Sequence, residues 1–243
     1  MRLDKLLANM GFGTRKEVKE IIRKQQVTVN DISVKNGKHQ VNPEKDVVMV
    51  NGDIVEYKKY IYIMLHKPQG YLSATEDFWD VTVIDLLTDE YQHFDPFPVG
   101  RLDKDTEGLL LLTNHGQLAH QLLSPKKDIE KTYYAEISGR VTMDDVEKFK
   151  NGLTLEDGYE TKPAELKILE RGTYSKIELT ITEGKFHQVK RMFEAVGKKV
   201  VYLKRERMGE IHLDDTLALG EFRELTDEEL AYCLSLIPDE LKD

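Results

Sequence analysis

The chain has 243 residues, 40% hydrophobic and 33% charged, which suits a soluble globular protein with one large domain or two smaller ones. No apolar stretch reaches the ~18 residues of a membrane span, and the N-terminus, MRLDKLLANMG, lacks the apolar core of a secretory signal. The net charge of −9 argues against nucleic-acid binding taken whole, but residues 1–59 carry 12 basic and 8 acidic side chains, +4, against −13 for the remainder. The one cysteine, Cys233, leaves no partner for an intrachain disulfide and fits a reducing, cytoplasmic setting. His115, His120 and His187 do not combine with each other or with cysteine at metal-ligand spacing, so no metal is expected.

Residues 1–59 read as a small separate module. Leu3, Leu6 and Leu7 share one helix face, and Gly11-Phe12-Gly13 ends that helix. Thr14 and Glu17 have capping-box spacing and open a second helix, RKEVKEIIRKQ. It turns Val18, Ile21 and Ile22 inward and leaves Arg15, Lys16, Lys19 and Arg23 largely on the exposed side. Val27, Val29 and Val34 alternate around Asn30-Asp31 as in a hairpin. Residues 47–50 and 54–55 flank an Asn51-Gly52 turn and predict further β-structure.

Lys58-Lys59 reads as a linker into a second domain, 60–243. Residues 60–65 form an apolar strand, stopped sharply by Pro68 and Gly70. A short helix or turn follows at 82–87, then a rigid loop at 94–98. Residues 99–116, VGRLDKDTEGLLLLTNHG, place five charges in seven positions ahead of an unbroken apolar run, 109–112. Such a run between turn signals predicts a buried strand, and its charged loop sets carboxylates at the rim of a rigid core. A helix over 117–123 ends at Ser124-Pro125.

The stretch KTYYAEI, 131–137, reads as a strand, so Tyr133 and Tyr134 face opposite ways. Thr142 caps a helix over 142–150, two short strands flank Pro163, and residues 176–182 alternate as a strand. A helix over 188–195 ends at Gly197 with Val189, Met192 and Phe193 inward, and a strand follows at 200–203. Residues 185–207 carry eight basic and two acidic side chains within an otherwise acidic domain. Thr226 caps a closing helix over 227–236, and the acidic tail runs on to Lys242 and Asp243. Strands and helices interspersed without a βαβ period indicate an α+β fold with a mainly antiparallel sheet.

Four stretches resemble one family in order. GRLDKDTEGLLLLTN (100–114) resembles the catalytic motif of pseudouridine synthases of the ribosomal small-subunit type, the RsuA-like family. HKPQGYLSATED (66–77) resembles its first motif, Lys131-Thr132-Tyr133 its Lys-x-Tyr element, and HQVKRMFEAVG (187–197) its third motif. RLDKLL, the Arg15-Lys16 pair and the Val-x-Val-Asn turn resemble the S4 RNA-binding domain.

The resemblance implies a small S4-type domain joined to a catalytic domain with a mixed sheet and a cleft across its middle. Asp103 is then the nucleophile, Tyr133 lies against the target uracil, and Lys190 pairs with Asp103. Arg191 is the runner-up, because helical phase alone does not separate neighbours. Arg101 anchors RNA backbone and helps displace the base; His187 and Arg191 join it in substrate binding. Asp105 and Glu107 position the loop. The S4 face, with Arg15, Lys16, Lys19 and Arg23, grips RNA through phosphates.

The implied reaction isomerises a uridine in small-subunit (16S) ribosomal RNA, free or in an assembling subunit, by a monomer. No atom is gained or lost, so no cofactor is required. Breaking the N1–C1′ bond leaves an electron-poor C1′ that a carboxylate can meet. Burial raises a carboxyl pKa and a neighbouring cation offsets it, hence the need for Lys190 beside Asp103. Unstacking the uridine costs a few kcal/mol, and stacking on Tyr133 returns about 1–3 kcal/mol. Asp103 either bonds C1′ or assists removal of a C2′ proton, in which case Tyr133 serves as base. The competing readings are a large-subunit target, a non-catalytic S4-type assembly factor, and a glycosidase using Asp103 with Asp105 or Glu107.

Overall fold

The computed structural model describes residues 1–241; Lys242 and Asp243 lie outside the described residues. The chain divides into two compact units, one of residues 1–61 with 87–96, the other of 62–86 with 97 onward.

The first unit sets α1 (Leu3–Asn9) and α2 (Arg15–Arg23) with an antiparallel sheet of β1 (Val27–Val29), β2 (Ile32–Ser33), β3 (Val48–Val50) and β4 (Asp53–Ile54), in order β2-β1-β3-β4. The capping box of α2 is complete: Thr14 N–H donates to Glu17 Oε2 at 2.7 Å, and Glu17 N–H to Thr14 Oγ1 at 3.4 Å. Asn30-Asp31 and Asn51-Gly52 all have positive φ, the conformation that two-residue hairpins need. Leu3, Leu6, Leu7, Val18, Ile22, Val27 and Val48 fill the core, each contributing about 1.5–3 kcal/mol of burial, with Ile21 at its margin. A four-residue helix, α3 (Asp89–Gln92), stands where no element was expected.

The second unit contains β5 (Tyr62–Lys67), β6 (Phe97–Pro98), β7 (Glu107–Thr113), α4 (Gly116–Leu123), β8 (Lys131–Ser138), α5 (Met143–Asn151), β9 (Glu165–Glu170) and β10 (Tyr174–Ile181). After them come α6 (Gln188–Ala195), β11 (Lys199–Met208), β12 (Ile211–His212), β13 (Phe222–Glu224) and α7 (Asp227–Ser235). The nine strands form one sheet, β13-β5-β7-β11-β8-β10-β9, with β12 on β11 and β6 on β7. Pairing is antiparallel except between β7 and β11, which gives the expected α+β fold with a mixed sheet.

The elements depart from expectation at several points, among them β12 and β13, where no strand was expected. The first strand of this unit spans 62–67 rather than 60–65, because Lys67 turns inward. Before Pro163 there is one isolated bridge, Thr154–Glu160, and no strand. Phe97–Pro98, expected within a loop, adds an edge to β7. The strand expected at 200–203 runs on to Met208, since Leu203, Arg205 and Met208 turn inward and the strand pairs with β8 from Lys199 to Met208.

Three strands meet at one level at the centre. Arg205 of β11 pairs with Gly108 of β7 on one side and with Tyr133 of β8 on the other. Gly108 has φ +108°, and a Cβ there would lie 2.2 Å from the Arg205 carbonyl oxygen. The parallel pairing therefore requires glycine at this position.

Candidate functional site

The loop that enters β7 is built from outside itself. Lys67, at the end of β5, is fully buried, and its Nζ donates to the carbonyls of Pro68, Asp103, Lys104 and Thr106 at 2.9–3.4 Å. Burial lowers the Lys67 pKa to about 8 against the opposing pull of Asp105, Asp103 and Glu107. Ser73 both accepts from Leu102 N–H (3.0 Å) and donates to Leu102 carbonyl (2.9 Å), and Gly70 N–H donates to the Lys104 carbonyl (2.7 Å). Backbone groups that would otherwise be orphaned in a sharp turn are thereby satisfied. Sequence reasoning reads HKPQG as a strand stop and as part of the family's first motif, and misses the role of Lys67. Its signal is a lysine closing an apolar strand directly before Pro-x-Gly.

Asp103 emerges from this loop into a cleft of about 300 Å³ lined by Arg101, Lys131, Tyr133, Lys190 and Arg205 among others. Its Oδ2 accepts from Lys190 Nζ at 2.9 Å. Lys190 also donates to Asp105 Oδ1 at 2.7 Å. Asp105 does not line the cleft, and its side chain is 68% exposed against 27% for Asp103. Burial works against the Lys190 ammonium, but its bonds to Asp105 and Asp103 outweigh this and raise its pKa. The same contact outweighs burial at Asp105 and lowers that carboxyl. His187 Nε2 stands 3.6 Å from Asp103 Oδ1, a second positive partner when protonated. His187 caps α6 with φ +48°, its ring stacked on Phe186.

The two candidates for pairing with Asp103 separate cleanly. Lys190 reaches Asp103, whereas Arg191 turns away to Asp157 Oδ2 at 2.5 Å. The two tyrosines separate as well. Tyr133 is buried and lines the cleft; Tyr134 faces the other side, bonded to Glu136 and edge-on to Tyr202. Glu107 accepts from Tyr202 at 2.6 Å and is held away from Lys190. Arg101 is exposed at the cleft.

Behind α6, Gln188 is buried and accepts from Lys185 N–H at 2.8 Å, while Tyr159 donates to Glu183 at 2.6 Å. These contacts fix the turn that presents Lys190. In the first unit, Arg15, Lys16, Lys19 and Arg23 are all exposed on α2, and Arg15, Lys19 and Arg23 form one stripe at four-residue spacing. Among the described residues no group of three or more His, Cys, Asp or Glu is placed to hold a metal ion, and no helix is long and apolar enough to cross a membrane.

Comparison with known proteins covers nearly the whole chain. Residues 61–195 match the family model for RNA pseudouridylate synthase, and residues 1–48 match the S4 domain. The chain is 55% identical over 232 residues to the uncharacterized RNA pseudouridine synthase YtzG of Bacillus subtilis, covering 95% of this chain and 97% of the relative. It is 43% identical over 232 residues to ribosomal small subunit pseudouridine synthase A of Escherichia coli, covering 95% and 99%. A crystal structure of a pseudouridylate synthase superposes with a TM-score of 0.68 at 36% identity, over 96% of this chain and 99% of that one.

Proposed function

The chain belongs to the RNA pseudouridylate synthase family and carries an S4 domain, and from that premise we propose that it isomerises one uridine of small-subunit (16S) ribosomal RNA to pseudouridine, with Asp103 as nucleophile. The observation that carries this reading is the Asp103 carboxylate in the cleft, 2.9 Å from Lys190, with Tyr133 lining the same cleft. Relatives named for the small subunit, similar at 43% identity over nearly their full length, support the target.

The exposed stripe of α2 meets RNA phosphates, which gives affinity more than sequence choice. Arg101 takes the backbone at the cleft mouth as the uridine leaves its stack, and Tyr133 receives the base. The Asp103 carboxylate bonds C1′, and the electron pair of the C1′–N1 bond departs with uracil. The uracil turns and its C5 forms the new bond to C1′ as the carboxylate leaves with its own pair. C5 then loses a proton and N1 gains one. Lys190 keeps Asp103 ionised and aligned beforehand, which lowers the cost of reorganisation at the moment of attack. One chain supplies every residue named, with a monomer in the cytoplasm as the working unit.

The test is tritium release from 16S ribosomal RNA labelled at uridine C5, with wild type and Asp103→Asn side by side. Release by wild type alone supports both reaction and residue. Release from large-subunit RNA only changes the target. Release from neither, as naked RNA or ribosomal particles, overturns the enzyme reading in favour of an RNA-binding factor.

A further inference from the structure

Two cations in the cleft lack a counter-charge. Arg205 is 2% exposed; its Nε donates to the Leu109 carbonyl at 2.9 Å, while Nη2 is buried with no hydrogen-bond partner. Lys131 is half-buried, and its Nζ donates to the Ile129 carbonyl at 3.1 Å. Among the described residues neither forms an ion pair. Burial, and then the charge of Arg205, pull the Lys131 pKa down to about 8. A buried cation without an anion is costly, and a fold tolerates it where the anion arrives with a ligand.

The two are placed together beside Tyr133. Lys131 and Tyr133 are two apart on β8 and so share a face, and Arg205 is the cross-strand partner of Tyr133. All three line the cleft. RNA brings two kinds of anion: the phosphates of its backbone, and a base detached from its ribose. With so little of its surface accessible, Arg205 suits a flat group that enters the cleft better than a bulky tetrahedral phosphate at its mouth, where Arg101 is exposed.

We propose that Lys131 and Arg205 contact the uracil of the target nucleotide and stabilise the negative charge it carries while detached from the ribose. This rests on the pseudouridine synthase reading above. When the C1′–N1 bond breaks, its electron pair goes to uracil and spreads over N1, O2 and O4. The charge is there whether C1′ is met by the Asp103 carboxylate or relieved by loss of the C2′ proton. It disappears when C5 gives its pair back to C1′, C5 loses its proton and N1 takes one. The base is neutral in substrate and product alike, so cations that touch it act mainly in between, on rate rather than on affinity.

The experiment is single-turnover tritium release by Lys131→Met, with RNA affinity measured separately across a salt series. The rate is expected to fall about 10²-fold, with dissociation constant and salt slope unchanged within twofold. Lys131→Arg, which keeps the charge, should recover at least a tenth of the wild-type rate. A Lys131→Met rate within threefold of wild type overturns the proposal. So does a loss confined to affinity with a salt slope shallower by about 1, the mark of a phosphate contact. Circular dichroism checks the fold first, and Lys131→Gln replaces the Met variant if that does not fold. Wild type in the same assay separates the two claims: an inactive wild type sinks the reaction itself, whereas an active wild type with an equally active variant sinks this proposal and leaves the reaction standing.

Discussion

Lys190 Nζ lies 2.9 Å from Asp103 Oδ2, although 87 positions of chain separate the two residues. The parallel pairing of β7 and β11 makes this possible. Glu107 pairs with Lys204, so the loop ahead of Glu107 and the chain ahead of β11, which includes α6, enter the sheet from the same end. The chain preceding each of two parallel strands arrives on the same side of the sheet. One carboxylate and one ammonium are thus brought together by topology.

Asp103→Asn is expected to lower turnover by more than about 10³-fold, because the amide keeps the shape but loses the attacking charge. RNA affinity should persist within a few-fold. Tritium release paired with a filter-binding titration measures both. A variant with near-normal turnover would remove Asp103 from the nucleophile's role.

Lys190→Met should reduce turnover by roughly 10²-fold, since it leaves Asp103 and Asp105 without their shared cation. Arg191→Met, which breaks the contacts with Asp157 and the Phe186 carbonyl and none with Asp103, should stay within about threefold of wild type. The reverse order of effects would transfer the pairing role to Arg191.

Lys67→Met removes the donor to four carbonyls at once. The expected loss is about 2–4 kcal/mol of stability, since those acceptors are left partly unsatisfied. Urea unfolding at constant slope measures it. Turnover should fall with it, because the carbonyl of Asp103 is among the four. An unchanged midpoint would show that the loop holds its shape without Lys67.

Replacing Arg15, Lys16, Lys19 and Arg23 together by Gln should flatten the salt dependence of RNA binding. If each meets one phosphate, the slope of log affinity against log salt falls by about 3. Turnover at saturating RNA should be unaffected. An unchanged slope would place the RNA grip elsewhere on the molecule.

Asp214 accepts from Thr216 and from Arg223 Nε, and these bonds hold its carboxyl down to about 2. A carboxyl lowered on folding stabilises the protein above its ordinary pKa of about 3.8 and loses that contribution as pH falls through the folded value. Thermal melts of wild type and Asp214→Asn should therefore differ above about pH 4 and draw together between pH 4 and 2. A gap that stays constant through that window would contradict the assignment.

Features written in a few adjacent residues were legible before the structure. The capping box at Thr14, the N-cap at Thr226, the turns at Asn30-Asp31 and Asn51-Gly52, and the span of α6 depend on neighbours at most four positions away. The choice of Tyr133 over Tyr134 comes from the resemblance to the Lys-x-Tyr element; strand alternation says only that the two face opposite ways. What stayed hidden was the burial of cations. Lys67 and Arg205 are enclosed by carbonyls that lie 36 to 39 and 96 positions away, and no local pattern reports such partners. A run such as Lys204-Arg205-Glu206-Arg207 has the composition of a surface loop, so β11 looked shorter than it is. The contact of Arg191 with Asp157 is of the same kind, since a helix phase says which residues are neighbours but not which way a long side chain leans.

Gly108 sits where β7 and β11 touch, with the Arg205 carbonyl oxygen 2.2 Å from where a Cβ would be. It performs no chemistry, yet the loop of Asp103 and the strand of Arg205 depend on those two strands staying in register. A saturation library scored for activity should accordingly find position 108 as intolerant as position 103. Alanine, the mildest change available anywhere else on the strand, would be as damaging there as a charge. A map of tolerance drawn from such a library would outline the seam of the sheet alongside the reacting groups, and only the separate measurement of folding would tell the two apart.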